Sequence, residues 1–289
     1  MNDVLKAKLS LLLSMVIFGT IGIFRRYIPL SSSLLALLRG IIGTIFLFIF
    51  VCITRQKINK KAIRKNIWML IISGAAIGIN WILLFEAYGY TSIATATLCY
   101  YMAPVIVILA SPFIVNEKLS PLKILCTIIA FIGMIFVSGV FESGFNMHSD
   151  FIGVLYGLGA AILYGSVVLC NKKITDIGAY EKTIVQLGSS AIVLLPYTLL
   201  SEGIHIPLNS TIIIMLLIVG IVHTGIAYAL YFGTTKYLNA QTLALYSYID
   251  PIVAIVLSVT LLQEPLSTLE IIGAILILGA TIVSDVKES

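Results

Sequence analysis

The sequence has little charge. Only 11% of its 289 residues are Asp, Glu, Lys or Arg, whereas 60% are apolar, and the mean hydropathy is +1.08. Water-soluble domains carry roughly 25% charged residues, so this composition excludes a soluble fold. Because one membrane-spanning helix takes about 20 apolar residues, the chain has room for on the order of ten spans.

The chain also lacks the motifs of several functional classes. Its four cysteines form no CxxC pair and lie in apolar runs, so the sequence predicts neither a disulfide framework nor a metal site. It contains no nucleotide-binding P-loop and no HExxH motif, and its predicted spans carry no paired carboxylates. We therefore expect no cofactor, no enzymatic activity and no nucleic-acid partner.

Ten apolar runs are separated by polar breaks. In hydrocarbon, backbone amides must be paired within the fold, so only helices or closed barrels span a bilayer, and these runs lack the alternation of barrel strands. The sequence therefore predicts an all-α integral membrane protein with ten transmembrane helices, near residues 8–26, 31–53, 67–88, 92–115, 121–139, 151–171, 178–200, 211–232, 240–262 and 267–284.

The basic residues are distributed unevenly among the predicted loops. Of the 18 Lys and Arg residues, 15 are predicted on the same side of the membrane as the N-terminus, and the exceptions are Arg25, Arg26 and Arg39. Cytoplasmic loops retain basic residues during insertion. We therefore expect both termini in the cytoplasm and interpret the basic residues as membrane anchors.

An internal repeat is visible at an offset of 147 residues. Gly78–Ser120 aligns with Gly225–Ser267 without a gap, and 14 of the 43 pairs are identical, including Tyr, Pro, Glu and Gly pairs that apolar bias does not explain. We expect two repeats, residues 1–142 and 143–289, that together form one transport domain. The offset covers five helices, an odd number, so the second repeat is inverted, as in many alternating-access transporters.

These segments resemble the EamA family of the drug/metabolite transporter superfamily. The resemblance rests on FEAYGYTSIATATLCYYMAPV with NEKLSPL in the first repeat, and on LYFGTTKYLNAQTLALYSYIDPI with QEPLSTL in the second. It extends over the whole chain. It implies a ten-helix carrier of the bacterial inner membrane, with a central cavity lined largely by the first, third and fourth helices of each repeat. Such carriers move small metabolites and often export amino acids or amphipathic drugs.

Ionisable side chains inside the predicted spans are candidates for function, since each costs about 2.5–3.5 kcal/mol at the bilayer centre. Asp250 lies near the middle of the ninth span, where the first repeat has Ala103. We interpret it as a proton-coupling carboxylate or the counter-charge of a cationic substrate; the structural alternative is a carboxylate fixed by Arg39 or by neighbouring tyrosines. His223, within the eighth span, either titrates and pairs with Asp250 or is a hydrogen-bonded packing residue.

Polar and aromatic residues near the expected midplane complete the predicted substrate site. Their rings suit a flat or cationic group, through contacts worth about 0.5–2 kcal/mol each, or else they pack helices together. With His223 and Asp250, the candidates are Asn80, Trp81, Tyr100, Tyr101, Tyr228, Tyr246 and Tyr248.

A second group is expected to gate the pathway or to support the fold. The two prolines each remove one helical hydrogen bond and predict a kink, either moving or static. The glutamates near the ends of the fourth and ninth spans are interpreted as helix caps or gate residues. Arg39 is interpreted as structural or as a ligand of a substrate carboxylate. The group is Arg39, Glu86, Pro104, Pro251, Glu117 and Glu264.

The sequence thus favours a secondary carrier of a small amphipathic solute, such as an amino acid or a drug-like cation. Without a P-loop, its energy must come from solute or proton gradients. A membrane-embedded enzyme or flippase acting on a lipid-linked substrate is the alternative, and a channel is a third class. The expected partners are the lipid bilayer, the solute and protons, and we expect a monomer or a dimer.

Overall fold

The computed structural model describes residues 3–56, 58–138, 140, 147–201, 209–263 and 267–286, so Glu264 lies outside the described residues. The regular elements of this part of the chain are helices. They include one π-helical segment, Val219–Ile226. The helices are α1 Asp3–Arg26, α2 Ser32–Ile53, α3 Lys60–Tyr90, α4 Ile93–Tyr100, α5 Ala103–Ile114, α6 Pro121–Val137, α7 Met147–Lys173, α8 Ala179–Ser201, α9 Ser210–Ile218, α10 Ala227–Thr234, α11 Ala240–Tyr246, α12 Ile249–Leu262 and α13 Thr268–Val286.

Eight apolar helical segments of the described chain are long enough to cross a membrane, so this is a multi-pass membrane protein. Two shorter apolar helices occupy the predicted fifth and tenth spans. The 17 residues of α6 extend about 25 Å, slightly less than a hydrocarbon core. That these two helices cross the membrane stays a prediction, and so does the total of ten spans.

The helix bounds agree with the predicted runs to within five residues, except at the start of α3. This helix begins at Lys60, whereas the apolar run predicts a start near residue 67. The additional turns contain Lys, Arg and Ala, which are good helix formers. Helix propensity thus extends α3 beyond its apolar segment.

The fourth and ninth predicted spans are each divided into two consecutive helices, and the predicted kinks stay predictions. In the fourth, α4 ends at Tyr100 and α5 begins at Ala103; in the ninth, α11 ends at Tyr246 and α12 begins at Ile249. The prolines at 104 and 251 lie in the first turn of the second helix of each pair, where a missing backbone N–H leaves no hydrogen bond unmade. Each break creates a new helix N-terminus within an apolar segment.

The same cap occurs at equivalent positions of the aligned segments. Ser92 Oγ accepts a hydrogen bond from the backbone N of Thr95 at 3.1 Å, at the start of α4. Asn239 Oδ1 accepts one from the backbone N of Thr242 at 2.7 Å, at the start of α11. Both residues are typical helix N-caps, so the two segments share the start of a helix as well as sequence.

The backbone is also unusual at equivalent positions after α5 and α12. Asn116 has φ 57° and Gln263 has φ 56°, in the left-handed region that residues other than glycine rarely adopt. Two positions 147 residues apart therefore end their helices with the same uncommon conformation.

The described chain forms two compact units. The first comprises residues 1–82 and 170–238, and the second comprises residues 83–169 and 239–289. Each unit therefore contains segments from both predicted repeats.

In the first unit, α1 packs on α10, and α2 packs on α8 and on the π-helical segment. In the second unit, α5 packs on α11 and α6 packs on α13. A Cβ atom on Gly133 of α6 would lie 2.7 Å from the Gly273 carbonyl oxygen of α13, so the absence of a side chain lets these backbones meet.

Candidate functional site

Asp250 is held by a tyrosine within the second unit. It lies in the first turn of α12, near the middle of the apolar segment Ala240–Leu261, and its side chain is half-buried. Tyr101, in the break between α4 and α5, donates its hydroxyl proton to Asp250 Oδ1 at 2.6 Å. The N-terminus of α12 adds a favourable partial positive charge. The helix break thus provides a polar environment for a carboxylate within an apolar span.

Further tyrosines surround Tyr101. Tyr248 donates its hydroxyl proton to the Tyr101 carbonyl oxygen at 3.1 Å, and the two rings stack at 6.3 Å. Tyr100 contacts Tyr101 at 5.9 Å between ring centroids, and it contacts Tyr164 of α7 at 5.7 Å. The structure thus brings together three of the predicted tyrosines and Asp250. Tyr246, the last residue of α11, is half-buried nearby in the sequence.

Arg39 lies over an aromatic ring in the first unit. Its guanidinium carbon is 3.9 Å from the centroid of the Trp81 ring, and the Trp81 ring meets that of Tyr228 edge-on at 6.2 Å. Cation–π contacts of this kind stabilise a guanidinium by about 0.5–2 kcal/mol, depending on its desolvation. The ring contact offsets part of the cost of placing a cation in the apolar helix α2.

His223 lies in the π-helical segment and is 2% exposed. Its Nε2 is 2.8 Å from Thr20 Oγ1, and Thr20 donates its single hydroxyl proton to the Ile17 carbonyl oxygen at 2.7 Å. His223 and Thr20 thus share a hydrogen bond whose direction is set by the tautomer of the ring. The Phe24 ring packs edge-on against it at 4.8 Å. These contacts are those of a hydrogen-bonded packing residue, and because Asp250 belongs to the other unit, a pairing of the two stays a prediction.

Asn80 and Glu86 lie on α3. Asn80 is buried, next to the buried Trp81, and Glu86 is half-buried near the end of the helix. The substrate and gate roles predicted for these two residues stay predictions.

Glu117 caps a helix of its own unit. Its carboxylate accepts the backbone N–H of Ala240 at 2.8 and 2.9 Å and that of Gln241 at 3.4 Å. These amides are at the start of α11, where unpaired N–H groups favour an anion. Of the two predicted roles, this geometry is that of a helix cap.

Sequence reasoning missed three features of the site. Tyr164 and Thr20 each contact a predicted site residue, but their only sequence signal is a polar atom inside an apolar run. The π-helical segment gives no signal in apolar spacing, although π-helical turns often accompany functional sites. Among the described residues, no three His, Cys, Asp or Glu side chains are grouped as a metal site would require.

The comparisons with known proteins agree with this fold. The model of the EamA-like transporter family matches residues 5–139 and again residues 151–284. The chain belongs to this family. A solved crystal structure superimposes with a TM-score of 0.87 at 18% identity, covering 97% of this chain and 96% of that one, and it shares the fold.

Similar proteins carry transporter names. The uncharacterized transporter YxxF of Bacillus subtilis (strain 168) is 32% identical over 251 residues, which cover 87% of this chain and 80% of that protein. Protein RarD of Salmonella typhi is 26% identical, with coverage of 82% and 79%. Family and relatives therefore indicate a membrane transporter rather than an enzyme.

Proposed function

We propose that this protein is a secondary carrier that moves a small amphipathic solute, such as an amino acid or a drug-like cation, across the bacterial inner membrane. It works by alternating access, as an exporter or a facilitator. Membership of a transporter family supports the class, and the tyrosines and Asp250 of the second unit support a solute with an aromatic or cationic group.

The proposal includes ten spans in two inverted repeats, residues 1–142 and 143–289, with both termini in the cytoplasm. Three observations support the duplication: the family model matches the chain twice, the helix caps recur at Ser92 and Asn239, and the left-handed residues recur at Asn116 and Gln263. Inverted repeats allow each half to adopt the conformation of the other, so that the site opens to either side in turn.

The contact between Tyr101 and Asp250 carries the proposal. The hydrogen bond to this carboxylate comes from a neutral phenol, and no ion pair with Asp250 is found within the described part of the chain. A carboxylate that no fixed cation neutralises can take up and release a proton, or accept a cationic solute. Protonation removes the negative charge that the Tyr101 hydroxyl binds, and thereby changes the contact between two helix breaks. Asp250 is proposed as the coupling residue.

The test is transport by purified protein in liposomes. A thermal-stabilisation screen with amino acids, amines and aromatic cations first supplies a solute. For wild-type protein we expect saturable counterflow and accumulation driven by a pH gradient. We expect Asp250→Asn to lose the pH-driven accumulation. An Asp176→Asn variant, altered at an exposed ion pair, is the matched control and should behave as wild type.

The alternatives give distinct results in the same liposomes. Ohmic current would indicate a channel, and formation of a chemical product would indicate an enzyme; either would contradict the carrier. Full pH-driven accumulation by Asp250→Asn would remove Asp250 from coupling while leaving the carrier class intact.

A further inference from the structure

A cavity of about 490 Å³ lies within the first unit, apart from the residues discussed above. Its lining residues lie at the start of α1, toward the end of α2, at the start of α8 and along α10 to its end. The ends of membrane spans meet the lipid headgroups. The cavity therefore lies at the depth of the membrane–water interface, and its volume is within the range of small-ligand sites, roughly 300–1,000 Å³.

The wall of this cavity is aromatic and aliphatic. Phe50 of α2 contacts Tyr180 of α8 at 5.3 Å between ring centroids, and Phe46 lies one turn earlier on α2. Ala229 and Leu230 of α10 line another side. Such a wall suits a hydrocarbon chain and offers few partners to a polar solute.

The polar end of the cavity carries one charge of each sign. Asp3 and Lys6, both on the first two turns of α1, form an ion pair at 3.9 Å, and their side chains are 72% and 58% exposed. Both charges are thus accessible to a ligand. They complement a headgroup that has a phosphate and an ammonium group, since a purely anionic headgroup would be repelled by Asp3.

Lipid-facing surface borders the cavity on both sides. On α1, Leu5 and Leu9 lie beside the lining residues and are about half exposed; on α2, the same holds for Phe48 and Ile49. In a membrane protein, exposed apolar side chains on a span contact acyl chains. A lipid can therefore enter the cavity sideways without leaving the bilayer.

We propose that this cavity binds one acyl chain of a zwitterionic glycerophospholipid, with the phosphate at Lys6 and the ammonium at Asp3. The predicted cytoplasmic N-terminus makes the cytoplasmic leaflet the source. The proposal does not depend on the transported solute, because the cavity uses none of the residues assigned to transport.

The test is photocrosslinking in nanodiscs. Phosphatidylethanolamine with a diazirine on one acyl chain is incorporated, and labelled peptides are mapped by mass spectrometry. We expect labels on the peptides that contain Phe46, Phe50 and Tyr180. Ala229→Phe, which fills the cavity, should reduce this labelling by at least about tenfold, because the chain loses its wall contacts.

Two lysine substitutions on α1 keep the test valid if the Ala229→Phe protein folds poorly. Lys6→Ala should reduce the labelling about threefold, as expected for loss of an exposed charge contact. Lys8→Ala removes the same charge from the same helix, outside the lining, and should leave the labelling unchanged. Phosphatidylglycerol carrying the same diazirine should label these peptides less than phosphatidylethanolamine.

Three results would overturn the assignment. Equal labelling in wild type, Ala229→Phe and Lys6→Ala would show a general lipid shell rather than a site. Equal labelling by the two phospholipids would show that the cavity does not select a zwitterionic headgroup. Displacement of the label by the water-soluble solute of the transport assay would assign the cavity to that solute.

Discussion

Tyr101 and Tyr248 are equivalent in the sequence repeat, yet they have different partners. Each lies in a helix break, three residues before a proline. Tyr101 donates to the Asp250 carboxylate, whereas Tyr248 donates to a backbone carbonyl, that of Tyr101 itself. The position equivalent to Asp250 is Ala103, which has no acceptor in its side chain. Asp250 therefore makes the two helix breaks chemically different, although their backbones are similar.

The two positions also differ in exposure. Ala103 is 2% exposed and Tyr248 is fully buried, whereas Asp250 and Tyr101 are half-buried. Asp250 and its hydrogen-bond partner Tyr101 are thus the more exposed residues of the two equivalent pairs. The two repeated segments therefore share the helix breaks, whereas only the second segment has a carboxylate at its break.

The largest effect is expected from placing an acid at the break between α4 and α5, which has none. Ala103→Asp would bury a carboxylate without a tyrosine hydroxyl positioned for it, because the Tyr248 proton is bound to the Tyr101 carbonyl. We expect a loss of about 3 kcal/mol in the free energy of unfolding, measured by denaturation in detergent micelles. Ala103→Ser, the control, should lose less than about 1 kcal/mol. Equal stability of the two variants would mean that the breaks are interchangeable.

An intermediate effect is expected from removing each hydroxyl in turn. Tyr101→Phe loses a hydrogen bond to a carboxylate and should cost about 2 kcal/mol, whereas Tyr248→Phe loses one to a neutral carbonyl and should cost about 1 kcal/mol. The two variants are matched controls for each other, since both keep their rings. The unfolding free energies of the two proteins test the order. A reversed order would show that the carboxylate bond contributes less than the backbone bond.

The smallest effect is expected at an acid that already has a cation. A hydrogen bond from Lys65, 3.0 Å away, lowers the pKa of Asp176 from its ordinary value of 3.8. A lowered folded-state pKa stabilises the fold above the ordinary value, and this contribution is lost as the pH falls through the lowered pKa. Wild type should therefore be slightly more stable than Asp176→Asn at pH 6.

The stabilities of wild type and Asp176→Asn should converge as the pH falls toward 3. The difference in stability should be small at every pH, because the ion pair is exposed. Thermal midpoints measured at stepwise pH values provide the check. A difference that grows as the pH falls would contradict the sign of the pKa shift.

Much of the fold could be predicted from the sequence. All ten apolar runs contain helices, and the prolines from which kinks were predicted lie beside both interruptions. The π-helical turn at Val219–Ile226 could not be predicted, because its apolar pattern is also that of an α-helix. Another helix packs against this segment: a Cβ atom on Gly220 would lie 2.5 Å from Ile42 Cγ2 on α2. The segment is therefore in close contact with α2, which local apolar spacing does not reveal.

The site was predictable in its members and less so in its contacts. Asp250 and the tyrosines were named from their depth in the spans, and the structure joins Asp250 to Tyr101. For Arg39, the sequence suggested a structural role or a substrate carboxylate, and the structure adds the ring of Trp81. Thr20, the partner of His223, was missed because a threonine inside a span has no distinctive pattern.

The sequence by itself determined that this chain is a membrane protein with a duplicated, transporter-like pattern. Hydropathy is a local property, and a repeat is visible without knowing any contact. Only the tertiary structure decided the partners of Asp250, Arg39 and His223. Tyr101 and Asp250 are 149 residues apart, and several tyrosines have similar depth, so the choice among them depends on how the helices pack. A hydrogen bond at 2.6 Å requires atomic placement that no spacing rule supplies.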